Sequence, residues 1–370
     1  MKYYVIAGEA SGDLQASNLI KELKVEDTNA EFRCWGGDLM EAQGVTLVKH
    51  YKELAFMGVE DVIMNIRTIF KNIAFCKEDI QQYQPDVLIL VDYPGFNLKI
   101  AKWAKANNVT VYYYISPKIW AWNQKRVHQI KKIVDKMFVI LNFEEDFYAK
   151  FDYPVDYVGH PLLDVIDPNQ SKTDFKAFCA QYKLSDKPII ALLPGSRKQE
   201  ISAMLATMLT VVEKFPDYQF VIAGAPSQPL SFYSQFIDKN IAIIENQTYD
   251  LLSHSHAALV VSGTATLETA LFKVPQVVCY KTGKLFYHLA KMVMKVKYIS
   301  LVNLIADREV VKELIQDELT TANLIKELGG LVGGEARTKQ LKDYEEIHVK
   351  LGGKGASSRA AKLMVGYLKK

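Results

Sequence analysis

ILVDYPGFN, residues 89–97, predicts a buried strand that leads directly into a carboxylate. The apolar run ends at Asp92, and Pro94 and Gly95 then stop the strand. A carboxylate next to a hydrophobic core is costly unless it is paired, hydrogen-bonded or used in chemistry. Asp92 is therefore a candidate functional residue, and a carboxylate satisfied by nearby backbone amides is the alternative.

Short apolar runs of the same kind recur along the chain and alternate with helical patterns. In the first half, strands are predicted at Tyr3–Ala7, Val87–Val91, Thr110–Ile115 and Lys136–Leu141. In the second half, they are predicted at Pro188–Leu193, Gln219–Ala223, Ile241–Ile244, Ala257–Val261 and Gln276–Tyr280. This alternation is typical of parallel sheets that helices cover on both faces.

A polar stretch with turn residues, 163–174, separates the two halves and is typical of a linker. We therefore expect an N-terminal Rossmann-like domain over 1–165 and a second one over 175–345, facing each other across a cleft. Residues 346–370 are expected to form a helical tail. Its helix at Ser357–Leu368 follows a glycine-rich break and could pack on either domain.

The composition argues against several classes of protein. The chain has 370 residues and a formal charge of only +3, too little to indicate general nucleic-acid binding. Its four cysteines are scattered, so they predict neither disulfides nor a zinc site. The sequence shows no signal peptide and no run of the ~20 apolar residues that span a bilayer.

Three loops with small residues follow predicted strands and precede predicted helices. They are GEASGD at 8–13, LLPGSR at 192–197 and SGTATLETA at 262–270. Backbone amides at such helix starts can face phosphate oxygens, and Arg197 offers a planar fork for them. None of the loops is a GxGxxG or Walker motif, which favours a nucleoside diphosphate over ATP hydrolysis. The alternatives are a plain strand–helix turn with Ser11 or Asp13 as its cap in GEASGD, and an exposed loop arginine in LLPGSR. In SGTATLETA the alternative is an acid, Glu268, that only suits the positive start of a helix.

Two segments combine apolar and basic residues. FMGVEDVIMNIRTIFKNIAF at 56–75 has a helical stripe that predicts a core-facing helix, but the stripe is also wide enough for a membrane interface. The candidate membrane contacts are Val62, Ile63, Ile66, Ile69, Phe70 and Ile73. KTGKLFYHLAKMVMKVK at 281–297 likewise interleaves lysines with bulky apolar residues.

SPKIWAWNQKRVHQIKK, residues 116–132, places two tryptophans beside a cationic helix start. Trp120 and Trp122 could line a ligand pocket while the cations meet an anionic headgroup. Core aromatics beside a solvated basic helix are the alternative. His160, in the sequence GHP, belongs to no Ser–His–Asp or HExxH pattern, so a structural role is the first expectation.

Taken together, these segments resemble the lipid-A-disaccharide synthase family. In chain order the resemblance is carried by GEASGD (8–13), AFMGVEDV (55–62), VDYPGFN (91–97), SPKIWAW (116–122), GHP (159–161), LLPGSR (192–197), SGTATLE (262–268), YISLVN (298–303) and REVVKELIQ (308–316). Each motif is weak alone, but the ordered set is specific. The tail resembles the family only loosely.

The resemblance implies a GT-B fold, an α/β architecture of two Rossmann-like domains with the donor nucleotide mainly in the C-terminal one. The family joins UDP-2,3-diacylglucosamine to 2,3-diacylglucosamine 1-phosphate (lipid X), releases UDP and forms a β-1,6-linked disaccharide. It works peripherally on the cytoplasmic face of the inner membrane of Gram-negative bacteria, and dimers that exchange C-terminal segments occur in it. Known members need no metal, no other cofactor is expected, and nucleic acid is not an expected partner.

The resemblance also implies catalytic residues in the first domain. Inversion at the anomeric carbon needs a base that takes the proton of the acceptor 6-hydroxyl, and Asp92 is the candidate. It would lie at the carboxyl end of a strand, where ligands bind in open α/β sheets. Glu9, Ser11 and Gly12 would approach the reacting sugars.

The remaining predicted contacts belong mostly to the donor site. The candidate substrate-binding residues are Gly12, Trp120, Trp122, Arg197, Ser262, Gly263, Thr264, Thr266, Glu268 and Asn303. Arg197 and the helix start at 262–266 would stabilise the departing UDP. Glu268 would hold the ribose, and Asn303 would lie near the nucleotide or pyrophosphate.

Two other functions stay open at this point. A UDP-sugar 2-epimerase, or another GT-B enzyme, would turn over its UDP-sugar without a lipid acceptor. A non-catalytic UDP-lipid-binding protein would bind without releasing UDP, and it would leave Asp92 without a task.

Overall fold

A computed structural model of the chain describes residues 1–53, 66–166, 174–237 and 241–369. The chain divides into two compact units, one of Met1–Asp164 with Leu351–Lys370 and one of Val165–Lys350. Each unit is built around its own parallel sheet with helices between successive strands. The predicted α/β class is therefore confirmed.

Unit 1 contains a seven-stranded parallel sheet in the order β3-β2-β1-β4-β5-β6-β7. Its strands are β1 (Lys2–Ala7), β2 (Glu31–Gly36), β3 (Thr46–His50), β4 (Val87–Val91), β5 (Val111–Tyr114), β6 (Lys136–Val139) and β7 (Asp156–Tyr157). Its helices are α1 (Ala10–Glu26), α2 (Asp38–Glu41), α3 (Ile66–Tyr83), α4 (Pro94–Ala106), α5 (Ile119–Trp122), α6 (Val127–Ile133) and α7 (Glu144–Ala149), and α8 (Leu162–Val165) lies at the boundary between the units.

Unit 2 contains a six-stranded parallel sheet in the order β10-β9-β8-β11-β12-β13. Its strands are β8 (Ile189–Leu193), β9 (Gln219–Gly224), β10 (Ala242–Glu245), β11 (Ser255–Val261), β12 (Gln276–Tyr280) and β13 (Lys312–Ile315). Its helices are α9 (Phe175–Tyr182), α10 (Lys198–Leu209), α11 (Leu230–Tyr233), α12 (Thr248–Ser253), α13 (Thr264–Leu271), α14 (Lys284–Val293), α15 (Leu301–Ala306), α16 (Thr321–Leu331) and α17 (Glu335–Lys350). Short 3₁₀ turns occur in both units, at Tyr51–Glu53 and Gln124–Arg126 in unit 1 and at Val212–Lys214 and Gln316–Glu318 in unit 2.

The central strands are buried on both faces, as their continuous apolar sequences predict. Every residue of β4 and of β8 is buried. In unit 2, alternate side chains of β8 supply two separate hydrophobic clusters, one on each face of the sheet. Because a parallel sheet needs helices on both faces, this alternation explains why helices follow nearly every strand.

The tail belongs to unit 1. Its helix, α18 (Ala356–Leu368), packs along α1, and Ala360, Ala361, Met364 and Val365 complete the same hydrophobic cluster as Leu19 and Ile20. Residues 346–350, which were predicted as part of the tail, continue α17 of unit 2 instead.

Two side chains fix the start of this returning segment. The Asp164 carboxylate accepts hydrogen bonds from the backbone amides of Gly355, Ala356 and Ser357. Arg359 donates to the carbonyls of Val158, Gly352, Gly353 and Lys354. The chain therefore leaves unit 1 and re-enters it at positions that are joined by direct hydrogen bonds.

Both sheets change winding direction between two central strands, β1 and β4 in unit 1 and β8 and β11 in unit 2. At the carboxyl ends of these strands, Ala7 of β1 pairs with Val91 of β4 in unit 1, and Leu193 of β8 pairs with Val260 of β11 in unit 2. Loops that follow these strands meet at a topological switch point, where open α/β sheets bind their ligands. These are the loops that begin at Gly8, Asp92, Pro194 and Ser262.

Candidate active site

Asp92 lies in a strained turn between β4 and α4. It and Tyr93 both adopt left-handed backbone angles, with φ of 45° and 48°. The carbonyl of Asp92 accepts hydrogen bonds from Tyr113 Oη at 2.6 Å and from Asn97 Nδ2 at 2.7 Å. A non-glycine residue in this region costs about 1–3 kcal/mol, and such strain persists only where surrounding contacts enforce it. The two side-chain donors thus hold the base candidate in a conformation it would not otherwise adopt.

Burial raises the pKa of the Asp92 carboxyl above its usual range. The ammonium of Lys118 and a hydrogen bond with the backbone of Tyr93 lower that pKa in part. The net shift remains upward, so nearby donors do not fully compensate for burial. A carboxylate with a raised pKa is suited to accept a proton.

The glycines of GEASGD allow close packing at the switch point. A Cβ on Gly8 would lie 2.2 Å from Cδ1 of Tyr93, so only glycine leaves room for that ring. A Cβ on Gly12 would lie 3.3 Å from Cβ of Ala7. Gly8 therefore brings the first loop into direct contact with the residue that follows Asp92.

The polar residues of GEASGD have different surroundings. Glu9 precedes α1 and is partly exposed, and Ser11 is exposed. Burial raises the pKa of the Tyr93 hydroxyl, and the charge of the nearby Glu9 adds to the rise. Asp13 is 3% exposed, and its carboxylate accepts three backbone hydrogen bonds of 2.7–3.1 Å from the start of α2. Asp13 thus fixes the neighbouring loop, whereas Glu9 lies close to Tyr93 and Ser11 is exposed, and both stay candidate sugar contacts.

The two tryptophans of SPKIWAW have different environments. Trp120 is buried and donates through Nε1 to Glu144 at 3.1 Å. Trp122 is 47% exposed, with the Arg126 guanidinium 5.4 Å from its ring centroid. Trp120 therefore fixes the segment, and of the two only Trp122 offers a substantial open surface to a ligand.

Glu144, which the sequence did not predict as important, holds neighbouring segments together through hydrogen bonds. Its carboxylate is almost fully buried and accepts hydrogen bonds from Ser116, Trp120 and the backbone amides of Ile140 and Leu141. Burial raises the pKa of Glu144, and these donors oppose the rise. The only sequence signal was an acidic residue soon after strand β6, which by itself indicates no partner.

His160 has a structural environment. It is buried, and its Nδ1 accepts a hydrogen bond from the amide of Leu162 at 3.3 Å. Burial, with a smaller contribution from Lys118, lowers the pKa of His160 to about 3. The imidazole is therefore neutral at physiological pH.

In unit 2, the PGSR loop joins β8 to α10. Gly195 has a φ of 114°, and a Cβ there would lie 2.8 Å from Oε2 of Glu200. That same carboxylate accepts hydrogen bonds from the backbone amides of Ser196 and Arg197. The Arg197 side chain is 60% exposed, and its ion pair with Glu200 is long, at 3.5 Å. Its guanidinium can therefore reach an anion at this edge of the sheet.

The SGTATLE segment lies beside that loop. A Cβ on Gly195 would lie 3.5 Å from Val261, the last residue of β11. The Ser262 hydroxyl donates a hydrogen bond to the carbonyl of Ile299 at 2.9 Å, and the Thr266 hydroxyl donates one to the carbonyl of Gly263. A Cβ on Gly263 would meet nothing within 4 Å, so a ligand can approach the backbone closely there.

The start of α13 suits a diphosphate. Thr264 opens the helix and is exposed, and its predecessor Gly263 provides no capping side chain. First-turn amides of a helix are free to bind phosphate oxygens where no side chain caps them, and the helix dipole favours the negative charge. The hydroxyls of Ser262 and Thr266 are therefore used within the fold, while the first-turn amides and the Arg197 guanidinium are donors available to a ligand.

Glu268 lies one turn into α13 and is partly buried. Its Oε1 accepts a hydrogen bond from the Tyr249 hydroxyl at 3.2 Å. Burial raises the pKa of Glu268, and the bond from Tyr249 lowers it in part. A carboxylate with acceptor capacity to spare is suited to vicinal hydroxyl groups such as those of ribose.

Asn303 does not have the surroundings of a ligand contact. It is fully buried, and its Oδ1 accepts from the amides of Val310 and Val311 while its Nδ2 donates to the Val311 carbonyl and to Glu313. The amide is therefore used within the fold, and the prediction that Asn303 lies near the nucleotide or pyrophosphate stays a prediction. Glu313 also accepts from Ile299 and Ser300, so this network supports the segment that Ser262 contacts.

The predicted membrane contacts are only partly described. Val62, Ile63 and the side chain of Ile66 lie outside the described residues. On α3, Ile69 is partly exposed and Phe70 is 59% exposed, but Ile73 is only 6% exposed. Ile73 thus lies on the core-facing side of the helix, whereas Ile69 and Phe70 stay candidate membrane contacts.

The two parallel sheets with interleaved helices define a GT-B-like α/β fold. The structure is similar to S. aureus MnaA solved with UDP, with a TM-score of 0.68 and 14% identity over 100% of this chain and 97% of that one. It is equally similar to the UDP-GlcNAc 2-epimerase of Methanocaldococcus jannaschii, with a TM-score of 0.68 and 14% identity over 99% of this chain and 100% of that one. At such identity the likeness shows the fold alone.

Sequence comparison gives the family. The family model described as "Lipid-A-disaccharide synthetase" matches residues 3–365. The lipid-A-disaccharide synthase of Geobacter metallireducens is 36% identical over 99% of this chain and 97% of its own length. The lipid-A-disaccharide synthase of Myxococcus xanthus is 37% identical over 98% of this chain and 97% of its own length. The chain belongs to the lipid-A-disaccharide synthase family of glycosyltransferases, which makes the disaccharide of lipid A.

Proposed function

We propose that the chain is an inverting glycosyltransferase that joins UDP-2,3-diacylglucosamine to 2,3-diacylglucosamine 1-phosphate (lipid X). The products are the β-1,6-linked disaccharide 1-phosphate and UDP. In this proposal unit 1 binds the acceptor and unit 2 binds the UDP-sugar. The observation that carries the proposal is Asp92, a carboxylate held in a strained turn at the switch point of unit 1 with a raised pKa.

The proposed reaction begins with proton transfer to Asp92. The acceptor 6-hydroxyl gives its proton to the Asp92 carboxylate as its oxygen attacks the anomeric carbon of the donor. The bond from that carbon to the UDP oxygen breaks on the opposite face, which inverts the configuration. A raised pKa makes Asp92 a stronger base than an exposed aspartate, and Lys118 helps to keep it ionised in the resting enzyme.

Unit 2 has the features needed to stabilise the leaving group. Negative charge grows on the diphosphate as the bond breaks, and Arg197 with the first-turn amides of α13 is suited to receive it. Glu268 would hold the ribose hydroxyls. We propose that neither a metal nor a cofactor takes part, and that UDP enters only as part of the donor and leaves as product.

Access to acylated substrates is proposed to involve contact with the inner-membrane surface. Among the described residues, no helix is both long and apolar enough to cross a bilayer. On α3, Phe70 and Phe75 are 59% and 44% exposed, and Lys71 and Lys99 are exposed near them. Lys99 lies over the Phe70 ring, 5.6 Å from its centroid. Aromatic side chains beside lysines are suited to an anionic interface.

One assay tests the reaction and separates its rivals. The purified chain is given UDP-2,3-diacylglucosamine with and without lipid X, and UDP and disaccharide 1-phosphate are measured. The proposal requires that both products form only when lipid X is present. Turnover of UDP-GlcNAc without a lipid acceptor would instead support an epimerase. Binding of the donor without UDP release would support a non-catalytic protein.

A further inference from the structure

Exposed apolar side chains are concentrated in one short part of unit 2. Eleven large apolar residues among those described are exposed, and four of them lie within residues 289–294. They are Leu289 at 55%, Met292 at 83%, Val293 at 53% and Met294 at 38%. Single exposed apolar residues are ordinary, but a contiguous group indicates a surface that something covers.

The group forms a continuous face because of its spacing. Leu289, Met292 and Val293 are three and four residues apart on α14, so their side chains share one side of the helix. The helix is anchored at its start, since Gln316 accepts a hydrogen bond from the Thr282 amide and donates one to the Thr282 carbonyl. The start of the helix is therefore held by hydrogen bonds, while the apolar side chains on one side of it are exposed to solvent.

The charged residues interleaved with this face along the chain are all lysines. Lys291, Lys295 and Lys297 are exposed and interleave with the apolar residues, and the stretch 281–297 contains no acidic residue. Within the described part of the chain, none of these three lysines forms an ion pair. We name the apolar residues 289 and 292–294, together with these three lysines, the 289–297 surface.

We propose that the 289–297 surface of unit 2 binds an anionic lipid bilayer. An interface of this kind accepts partly inserted apolar side chains without a matching pocket and attracts each nearby lysine. A second copy of the chain is less suitable, because an isologous contact would bring the lysines of one copy against those of the other. The inference extends the proposed membrane contact of α3 to a second surface, on the other unit, and depends on neither the reaction nor its residues.

Vesicle flotation tests the proposal directly. The full chain is mixed with phosphatidylethanolamine–phosphatidylglycerol vesicles or with phosphatidylcholine vesicles, and the bound fraction is measured at low and high salt. We expect M292S/V293S to lower the partition coefficient by about tenfold. We expect K291Q/K295Q to lower it by about fivefold for each lysine, on anionic vesicles only and less so at high salt.

Matched controls separate this surface from general hydrophobicity. Val349 and Val25 are exposed to a similar degree, at 77% and 67%, and lie on other helices, so V349S and V25S should leave partitioning unchanged. The thermal midpoint of each variant checks the fold, which exposed substitutions should preserve. Unchanged partitioning of both double variants would overturn the proposal. It would also be overturned if light scattering showed that M292S/V293S dissociates a dimer while the vesicle-bound fraction stays constant.

A variant of unit 1 distinguishes the two membrane proposals. F70S/F75S alters α3 and leaves the 289–297 surface intact. If F70S/F75S loses vesicle binding while M292S/V293S keeps it, the proposed contact through α3 stands and the present inference fails. If only the variants of the 289–297 surface lose binding, the inference stands and the contact through α3 fails. Additive losses support both.

Discussion

The substitution Asp92→Asn should abolish most turnover while it stabilises the fold. The change keeps the shape of the side chain but removes its ability to accept a proton. The backbone should stay in place, because the bonds from Tyr113 and Asn97 go to the Asp92 carbonyl and not to its carboxylate. Loss of a positioned general base costs typically 10²–10⁴-fold in rate, or about 3–5 kcal/mol of transition-state stabilisation.

The effect on stability follows from the pKa shift. Because burial raises the pKa of Asp92 in the folded state, the ionised carboxylate is disfavoured there relative to the unfolded chain. The folded state is therefore penalised at neutral pH, and the penalty disappears as the pH falls through the folded pKa towards the unfolded value of about 3.9. Asp92→Asn should raise the thermal midpoint at pH 7, and the difference from wild type should shrink in acid.

The matched control is Asp13→Asn, at the same edge of the same sheet. Asp13 accepts three backbone hydrogen bonds, so this variant should lower stability by about 1–3 kcal/mol for each amide left unpaired. Disaccharide formation, UDP binding by calorimetry and thermal unfolding are measured for both variants. UDP affinity should be retained in Asp92→Asn. A turnover rate within tenfold of wild type, or a fall in thermal midpoint like that of the control, would refute the assignment of Asp92 as the base.

Four further results are expected. Lys118→Gln should raise the pKa of Asp92 further and move the acid limb of the kcat/KM profile to higher pH, and an unmoved limb would exclude Lys118 as a tuning charge. Gly8→Ala should displace the Tyr93 ring and cost about 1–3 kcal/mol of stability in chemical denaturation, whereas an unaltered midpoint would contradict the packing argument. Glu268→Gln should weaken UDP binding about tenfold in calorimetry, since a hydrogen bond to a charged group is worth ~1.5–3 kcal/mol, with Tyr249→Phe as the milder comparison. Turnover should be unaffected by excess EDTA, and a loss that added Mg²⁺ restores would show that a metal takes part.

The local pattern of the sequence was enough to predict the buried strands. The predicted Val87–Val91 and Gln276–Tyr280 coincide with β4 and β12, because a strand buried on both faces is a continuous apolar run. Strand β2 was missed because Glu31 and Arg33 interrupt its apolar residues. The Arg33 guanidinium pairs with Asp79 on α3, which also accepts from the Tyr4 hydroxyl. A charge that finds its partner 46 residues away leaves no local signal.

The roles of the candidate site residues likewise depend on distant partners that the local sequence does not reveal. Side chains of the same type in similar motifs have different roles, and only their partners in the folded structure distinguish those roles. Asp13 is saturated by amides, whereas Asp92 has a raised pKa in a strained turn. Asn303 looked like a nucleotide ligand because of the motif that contains it, but its amide is fully used within the fold. Glu144 stood in no motif and fixes Trp120.

The way α18 completes unit 1 has a consequence for how the protein is made. Side chains from residues 360–365 pack in the same hydrophobic cluster as the buried side chains of α1, and they are synthesised after the whole of unit 2. Unit 2 is an uninterrupted stretch of chain and can fold as soon as it emerges from the ribosome. The hydrophobic cluster of unit 1 that includes Leu19 and Ile20 is therefore incomplete until α18 has been synthesised and Asp164 and Arg359 hold its start. Unit 1 is thus begun before unit 2 and completed after it, and a chain without α18 would expose apolar residues of this cluster to chaperones.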